Sequence, residues 1–276
     1  FFPYEMHWME GSMVEQVSRI LQGKPLYTAP TIYYVPWLYE PLYYYLTAAI
    51  ASVTGLSFAV ARIPSVIATI CTLGMLFIVV RKETGKMYFG IASIGLYLAA
   101  YGKVEYCFVM ARIDPLFNML LVAGFIAIYY SSLSKGIVLG SALFALSYFT
   151  KQTALVFVPA IAIYLWRIRG WKPALLFLIS SAFFIAAGIF ILDKVYDGWF
   201  SYYTLRVPQG KGKTLRWGYA FNGLFLFIIL RCWLVSTILS LGSLKIFISK
   251  KIDYTSMAYL FFGLFFLISI VAGLLG

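Results

Sequence analysis

The stretch IPSVIATICTLGMLFIVV, residues 63–80, holds no charged side chain and is followed at once by Arg81 and Lys82. An apolar run of this length matches the roughly 30 Å hydrocarbon core of a bilayer. Its hydrophobic character is continuous and does not alternate, which points to a helix rather than to a strand of a barrel. In lipid every backbone donor and acceptor must be satisfied internally, so a helix is the structure such a run can adopt.

Working outward, apolar runs recur at roughly 42–60, 63–80, 88–102, 115–130, 136–150, 153–166, 173–192, 217–244 and 254–276. Of the 276 residues, 62% are hydrophobic and 12% charged, about half the charge of a soluble domain. The expected fold class is therefore all-α: a polytopic membrane protein of about eight transmembrane helices. Residues 1–62 are expected to form an extracytoplasmic first loop with juxtamembrane helices, and residues 63–276 a transmembrane helical domain. The chain begins at Phe1 and stops at Gly276 directly after an apolar run, so a preceding first helix is expected. Residues 193–216 form the second polar stretch.

Residues 1–40 carry Glu5, His7, Glu10, Glu15, Arg19, Lys24 and Glu40, with Pro25, Pro30 and Pro36. Met13, Val14, Val17, Ile20 and Leu21 recur at helical spacing, which predicts a short amphipathic helix in the interface. A Pro- and Tyr-rich loop follows, with rings suited to the headgroup level.

The net charge of +12 raises nucleic-acid binding and then argues against it. Lys and Arg sit at the ends of apolar runs and form no basic stripe, so membrane lipids or a phosphate-bearing substrate fit better. Cys71, Cys107 and Cys232 are isolated, as expected of packing residues. The single histidine, His7, excludes a multi-histidine metal site.

Basic residues cluster in three short loops, at Arg81, Lys82 and Lys86, at Arg167, Arg169 and Lys172, and at Lys245, Lys250 and Lys251. The positive-inside rule places all three in the cytoplasm. Eight of the ten acidic residues then share the extracytoplasmic side: Glu5, Glu10, Glu15, Glu40, Glu105, Asp114, Asp193 and Asp197. Arg62, Lys103, Arg112, Lys151 and Gln152 join them. Charges beside membrane helices are costly and mark function, so a polar site is expected at the outer surface.

Each candidate has a functional and a structural reading. Glu10, in His7-Trp8-Met9-Glu10-Gly11, is a general base or a solvated loop carboxylate. Asp114, before Pro115, is a site carboxylate or a helix cap, and Arg112 can fork onto a phosphate. Lys151 and Arg62 either meet a phosphate or snorkel to the interface; Arg62 divides two apolar runs. Glu40 is a second carboxylate or a ligand for a divalent cation, and with His7 forms a weak acceptor or metal pair. Lys103 and Glu105 read as a loop pair, and Arg231 as a buried charge within run 217–244.

Five segments in order carry a family resemblance: MEGSMVEQVSRILQGKPLY (9–27), YEPLYYYLTAAIASVTGLSFAVARIPSV (39–66), RKETG (81–85), MARIDPLF (110–117) and ALSYFTKQTALVFVPA (145–160). Together they resemble the GT-C superfamily of membrane glycosyltransferases, in the branch of the protein O-mannosyltransferases and the lipid A aminoarabinose transferase. The resemblance implies a GT-C-like bundle and a polyprenyl-phosphate sugar donor, with transfer at the extracytoplasmic face of a membrane, expected to be the bacterial inner membrane. On this mechanism the catalytic residues are Glu10, as base toward the acceptor, and Asp114, which positions the acceptor or shares that role, while Arg62, Arg112 or Lys151 holds the donor phosphate. Where the family carries an Asp-Glu pair, this chain has Met9-Glu10; where it carries a lysine, this chain has Tyr39-Glu40-Pro41-Leu42. A divalent cation remains open as cofactor. A non-catalytic subunit with this fold and a flippase for lipid-linked substrates are the alternatives.

Overall fold

The computed structural model describes residues 3–99, 101, 107–131 and 134–208. Runs 217–244 and 254–276, the third basic loop, Lys103, Glu105, Arg231 and Cys232 lie outside the described residues. Among the described residues the fold is all-helical, with no strands.

Helix α1 spans Trp8–Leu21, α2 Leu42–Thr54, α3 Phe58–Thr84 and α4 Met87–Ala99. Helices α5 (Asp114–Tyr130), α6 (Ser134–Tyr148), α7 (Phe157–Arg169) and α8 (Trp171–Val195) follow, with a 3-10 turn, Gln152–Val156, between α6 and α7. Two of these helices, α3 and α8, are long and apolar enough to cross a membrane. At 27 and 25 residues each reaches roughly 40 Å, and both leave most of their apolar surface outside the protein. Helices α2, α4, α5 and α6 are apolar but shorter, at 13 to 17 residues.

Local chemistry sets the helix ends. Ser57 caps α3 by accepting the Val60 N–H at 3.2 Å, and Gly85 ends it in the left-handed region (φ 70°), where a side chain would be strained. Arg81 and Lys82 occupy the last turn, beside the carbonyl end of the helix dipole. Gly55, also at positive φ, ends α2. The break in run 42–60 therefore falls at Gly55–Ser57, and Arg62 lies inside α3 rather than dividing two runs. The boundary expected at 62/63 falls within a continuous helix. The polar stretch expected from residue 193 is helical at first: α8 runs to Val195, and a helical turn (Trp199–Ser201) leads into a π-helical turn (Tyr202–Arg206). Asp193 holds this turn by accepting the Ser201 N–H at 2.8 Å. Cys107 is buried as expected of a packing residue, whereas Cys71 is exposed.

Helices α3 to α8 run alternately up and down. At one end, Lys82 lies 3.8 Å over the Tyr130 ring, and the Tyr130 hydroxyl donates to Glu83 at 2.7 Å. Arg169 donates to the carbonyls of Tyr129, at 2.9 Å, and Ser131, closing the C-terminus of α5. The first two basic loops thus share one end of the bundle. The N-terminus of α5, the entry to α3 and the α6–α7 junction lie at the other.

The α5–α6 contact is a glycine seam. A Cβ on Gly124 would sit 2.8 Å from the Phe144 ring and 3.2 Å from the Gly140 carbonyl. A Cβ on Gly140 would sit 2.4 Å from Ile128 and 2.9 Å from the Gly124 carbonyl. Small residues at a helix–helix contact let the two backbones touch. Serine completes the packing: Ser180 of α8 donates to Ser141 of α6 at 2.7 Å.

Gly140→Ala is expected to lower the unfolding midpoint in detergent by overpacking, at a cost of about 1–3 kcal/mol. Gly74→Ala, where nothing lies within 4 Å, should leave the midpoint unchanged or raise it. Equal effects at the two sites would contradict the seam.

Candidate functional site

The site is built on one face of α3. Arg62, Ser65 and Thr69 recur at helical spacing and are all buried. Each meets the segment Cys107–Ile113 that leads into α5, directly or through one partner. Thr69 Oγ1 donates to the Phe108 carbonyl at 2.8 Å. Ser65 Oγ donates to the Arg112 carbonyl at 2.8 Å and accepts the Arg112 N–H at 3.3 Å. Arg62 reaches the same segment through Glu10.

Glu10 is fully buried in the first turn of α1, where the sequence allowed a solvated loop. His7 caps that helix, its Nδ1 accepting the Met9 N–H at 3.3 Å. Arg62 forks onto Glu10, Nε to Oε1 at 2.8 Å and Nη2 to Oε2 at 2.7 Å. The Ala111 N–H donates to Oε1 at 2.8 Å and the Met6 N–H to Oε2 at 2.8 Å. Four donors fill the four lone-pair directions of a carboxylate. Burial pushes the Glu10 carboxyl up, but the hydrogen bonds from Arg62, Ala111 and Met6 outweigh it and hold it below its ordinary value. Arg62 also donates to the Tyr4 carbonyl at 2.7 Å. It is neither snorkelling nor directed at solvent; its side chain is 2% exposed.

A second ion-pair group stands at the end of the same segment. Arg112 Nε donates to Asp114 Oδ2 at 3.0 Å, and Lys151 Nζ to Asp114 Oδ1 at 2.7 Å. Asp114 is therefore not the side-chain cap of α5; its carboxylate joins two cations from different loops. Arg112, Asp114 and Lys151 are 14%, 21% and 27% exposed, so this group reaches the surface while the Glu10 pair is sealed. Two cations and one carboxylate leave one net positive charge, which suits an anion.

Five of the seven residues singled out in the sequence thus assemble into two linked groups. His7 serves as a helix cap. Glu40 lies elsewhere, beside the α6–α7 junction, where the Leu42 N–H bonds the Phe149 carbonyl at 3.0 Å. Gln152 Nε2 ties this region together by donating to the carbonyls of Leu38, at 2.6 Å, and Thr204, at 3.1 Å. Both Glu40 carboxylate oxygens are buried without a hydrogen-bond partner, as are the hydroxyls of Tyr44, Tyr148 and Tyr203. Burial pushes the Glu40 carboxyl well above its ordinary value, against the lowering effect of the Glu40 and Gln152 backbone groups. Among the described residues no three His, Cys, Asp or Glu side chains group as metal ligands. Glu40 offers a single carboxylate, fewer oxygen ligands of that kind than a divalent cation takes.

Ser65, Thr69 and the Ala111 N–H were not singled out in the sequence. The polar spacing of Arg62, Ser65 and Thr69 at i, i+3 and i+7 was the available signal for the two hydroxyls. A backbone N–H has none.

The Glu40 environment predicts a pH effect. The folded chain keeps a proton that the unfolded chain releases above about 4.5, so stability from this group is present at low pH and lost as pH rises. Glu40→Gln is expected to raise the unfolding midpoint at about pH 8, with the gain shrinking toward about pH 4. A gain independent of pH would contradict the upward shift of the Glu40 carboxyl.

No family model, no curated protein and no solved structure matches this chain.

Proposed function

We propose that the protein is a polytopic membrane glycosyltransferase of the GT-C kind. In this reading it transfers a sugar from a polyprenyl-phosphate donor to an acceptor hydroxyl at the extracytoplasmic face. Helices α3 to α8, with runs 217–244 and 254–276, would make about eight crossings, and α1 and α2 would lie at the membrane surface. The supporting observation is that Arg112, Asp114 and Lys151 meet, partly exposed, at the bundle end opposite the two basic loops.

Arg112 and Lys151 would hold the donor phosphate and stabilise the charge that develops on it as it leaves. Sharing these cations with the phosphate leaves Asp114 less neutralised and better able to take the acceptor proton. The acceptor oxygen attacks the anomeric carbon. The bond from that carbon to the phosphate oxygen breaks, and its electron pair departs with polyprenyl phosphate. Attack opposite the leaving group inverts the anomeric centre. Asp114, not the sealed Glu10, is the carboxylate placed to act in this way.

One observation favours a non-catalytic subunit as the second reading: every lone pair of Glu10, the carboxylate in the family's acidic motif, is engaged. The test is sugar transfer in nanodiscs from a radiolabelled polyprenyl-phosphate-sugar panel. Wild-type transfer is expected, falling about 10²–10⁴-fold in Asp114→Asn. Lys151→Ala should raise the donor KM roughly ten-fold or more. No transfer from any donor by folded protein would favour the second reading.

A further inference from the structure

We infer that Glu10, clamped by Arg62, is a positioning residue that holds the segment Ala111–Asp114 in register, and so sets where Arg112 and Asp114 present themselves to the donor phosphate. This inference rests on the phosphate reading of Arg112 and Lys151, although its structural half can be tested without it.

The segment is held on two sides. Glu10 Oε1 takes the Ala111 N–H at 2.8 Å, and Ser65 Oγ engages both backbone polar groups of Arg112, at 2.8 and 3.3 Å. Ala111 and Ile113 are buried at 0% and 2% exposure, while Arg112 between them reaches outward. Two anchored residues thus flank the guanidinium, and Asp114 follows at the first position of α5. A shift of the segment along α3 would carry Arg112 and Asp114 together away from Lys151, which is fixed separately at the α6–α7 junction by its N–H on the Ser147 carbonyl at 2.9 Å. The anion site is therefore made of two parts, and Glu10 fixes the position of one.

The chemistry requires a carboxylate at position 10. Glutamine keeps one acceptor oxygen but turns an N–H toward Arg62 Nη2 and the Met6 N–H, donor against donor. That leaves a buried guanidinium without its counter-charge, the costly case for an ion pair. The segment is then expected to loosen although the volume of the side chain is unchanged.

The test compares Glu10→Gln and Ser65→Ala with wild type in nanodiscs by three measurements. Hydrogen exchange of the Ala111 and Arg112 amides should accelerate in both variants. Affinity for a short-chain polyprenyl phosphate should fall roughly 10–100-fold, the weight of a displacement of about 1 Å at a positioned group. The acid limb of the pH–rate profile should remain in Glu10→Gln, because the titrating carboxylate is elsewhere. Ser65→Ala, which removes no charge, carries the test if Glu10→Gln fails to fold. Slowed transfer with loss of the acid limb, at unchanged phosphate affinity, would make Glu10 the base and overturn the inference, as would unchanged exchange at Ala111. If the wild type transfers no sugar, the enzymatic reading fails, and amide exchange still decides whether Glu10 braces the segment.

Discussion

The Glu10–Arg62 pair is the constraint around which the site end of the molecule is arranged. Both side chains are essentially sealed from solvent, and two unpaired charges there would cost several kcal/mol each. The cost is offset by a fork of two short hydrogen bonds and by donors from Ala111, Met6 and, in reverse, the Tyr4 carbonyl. One ion pair therefore joins three pieces of chain distant in sequence: the N-terminal segment with α1, the entry of α3, and the approach to α5. Apolar packing of Met9, Met13 and Val17 against Tyr43, Tyr44 and Ala68 surrounds it but has no directional content of its own. The ion pair supplies the register.

The bundle beyond it follows from a different constraint. Apolar burial is non-directional and gives little preference for one neighbouring helix over another. Close backbone approach and a few hydroxyls decide the pairing instead, through Gly124 and Gly140 between α5 and α6 and Ser141 and Ser180 between α6 and α8. The same device serves the site, where Ser65 and Thr69 of α3 hold carbonyls of the segment before α5. The two ends of the bundle differ mainly in charge. Cations capping carbonyl ends gather at one, and carboxylates engaged by Arg and Lys at the other.

Much of this was legible in the sequence. Among the described residues the apolar runs fall on helices, with the break between the first two displaced to Gly55, and the spacing of Met13, Val17 and Ile20 anticipated α1. The charge sorting anticipated that the loops at 81–86 and 167–172 share an end. Arg112, Asp114 and Lys151 were each marked by a charge at the edge of an apolar run. Their contact was not legible, because it depends on how α5 and α6 register against each other through glycines. Arg62 was misplaced because Arg breaks the apolar pattern while remaining a good helix former; the break lay at Gly55. The burial of Glu10, read as a general base or a solvated loop carboxylate, was not legible because two of its partners are 52 and 101 residues away in sequence, and two of its four donors are backbone groups that no side-chain pattern reports. The burial of Glu40 was equally invisible, since it sits near Tyr27, Tyr44 and Tyr148, which come from separate stretches of the chain.

The measurement that bears most directly on the central claim is a structure of the protein in nanodiscs with a polyprenyl phosphate bound. The phosphate is predicted within hydrogen-bond reach of both Arg112 and Lys151, beside Asp114, with the Glu10–Arg62 fork intact. A phosphate seated on Arg62 with that fork opened, or bound away from all three residues, would contradict the account.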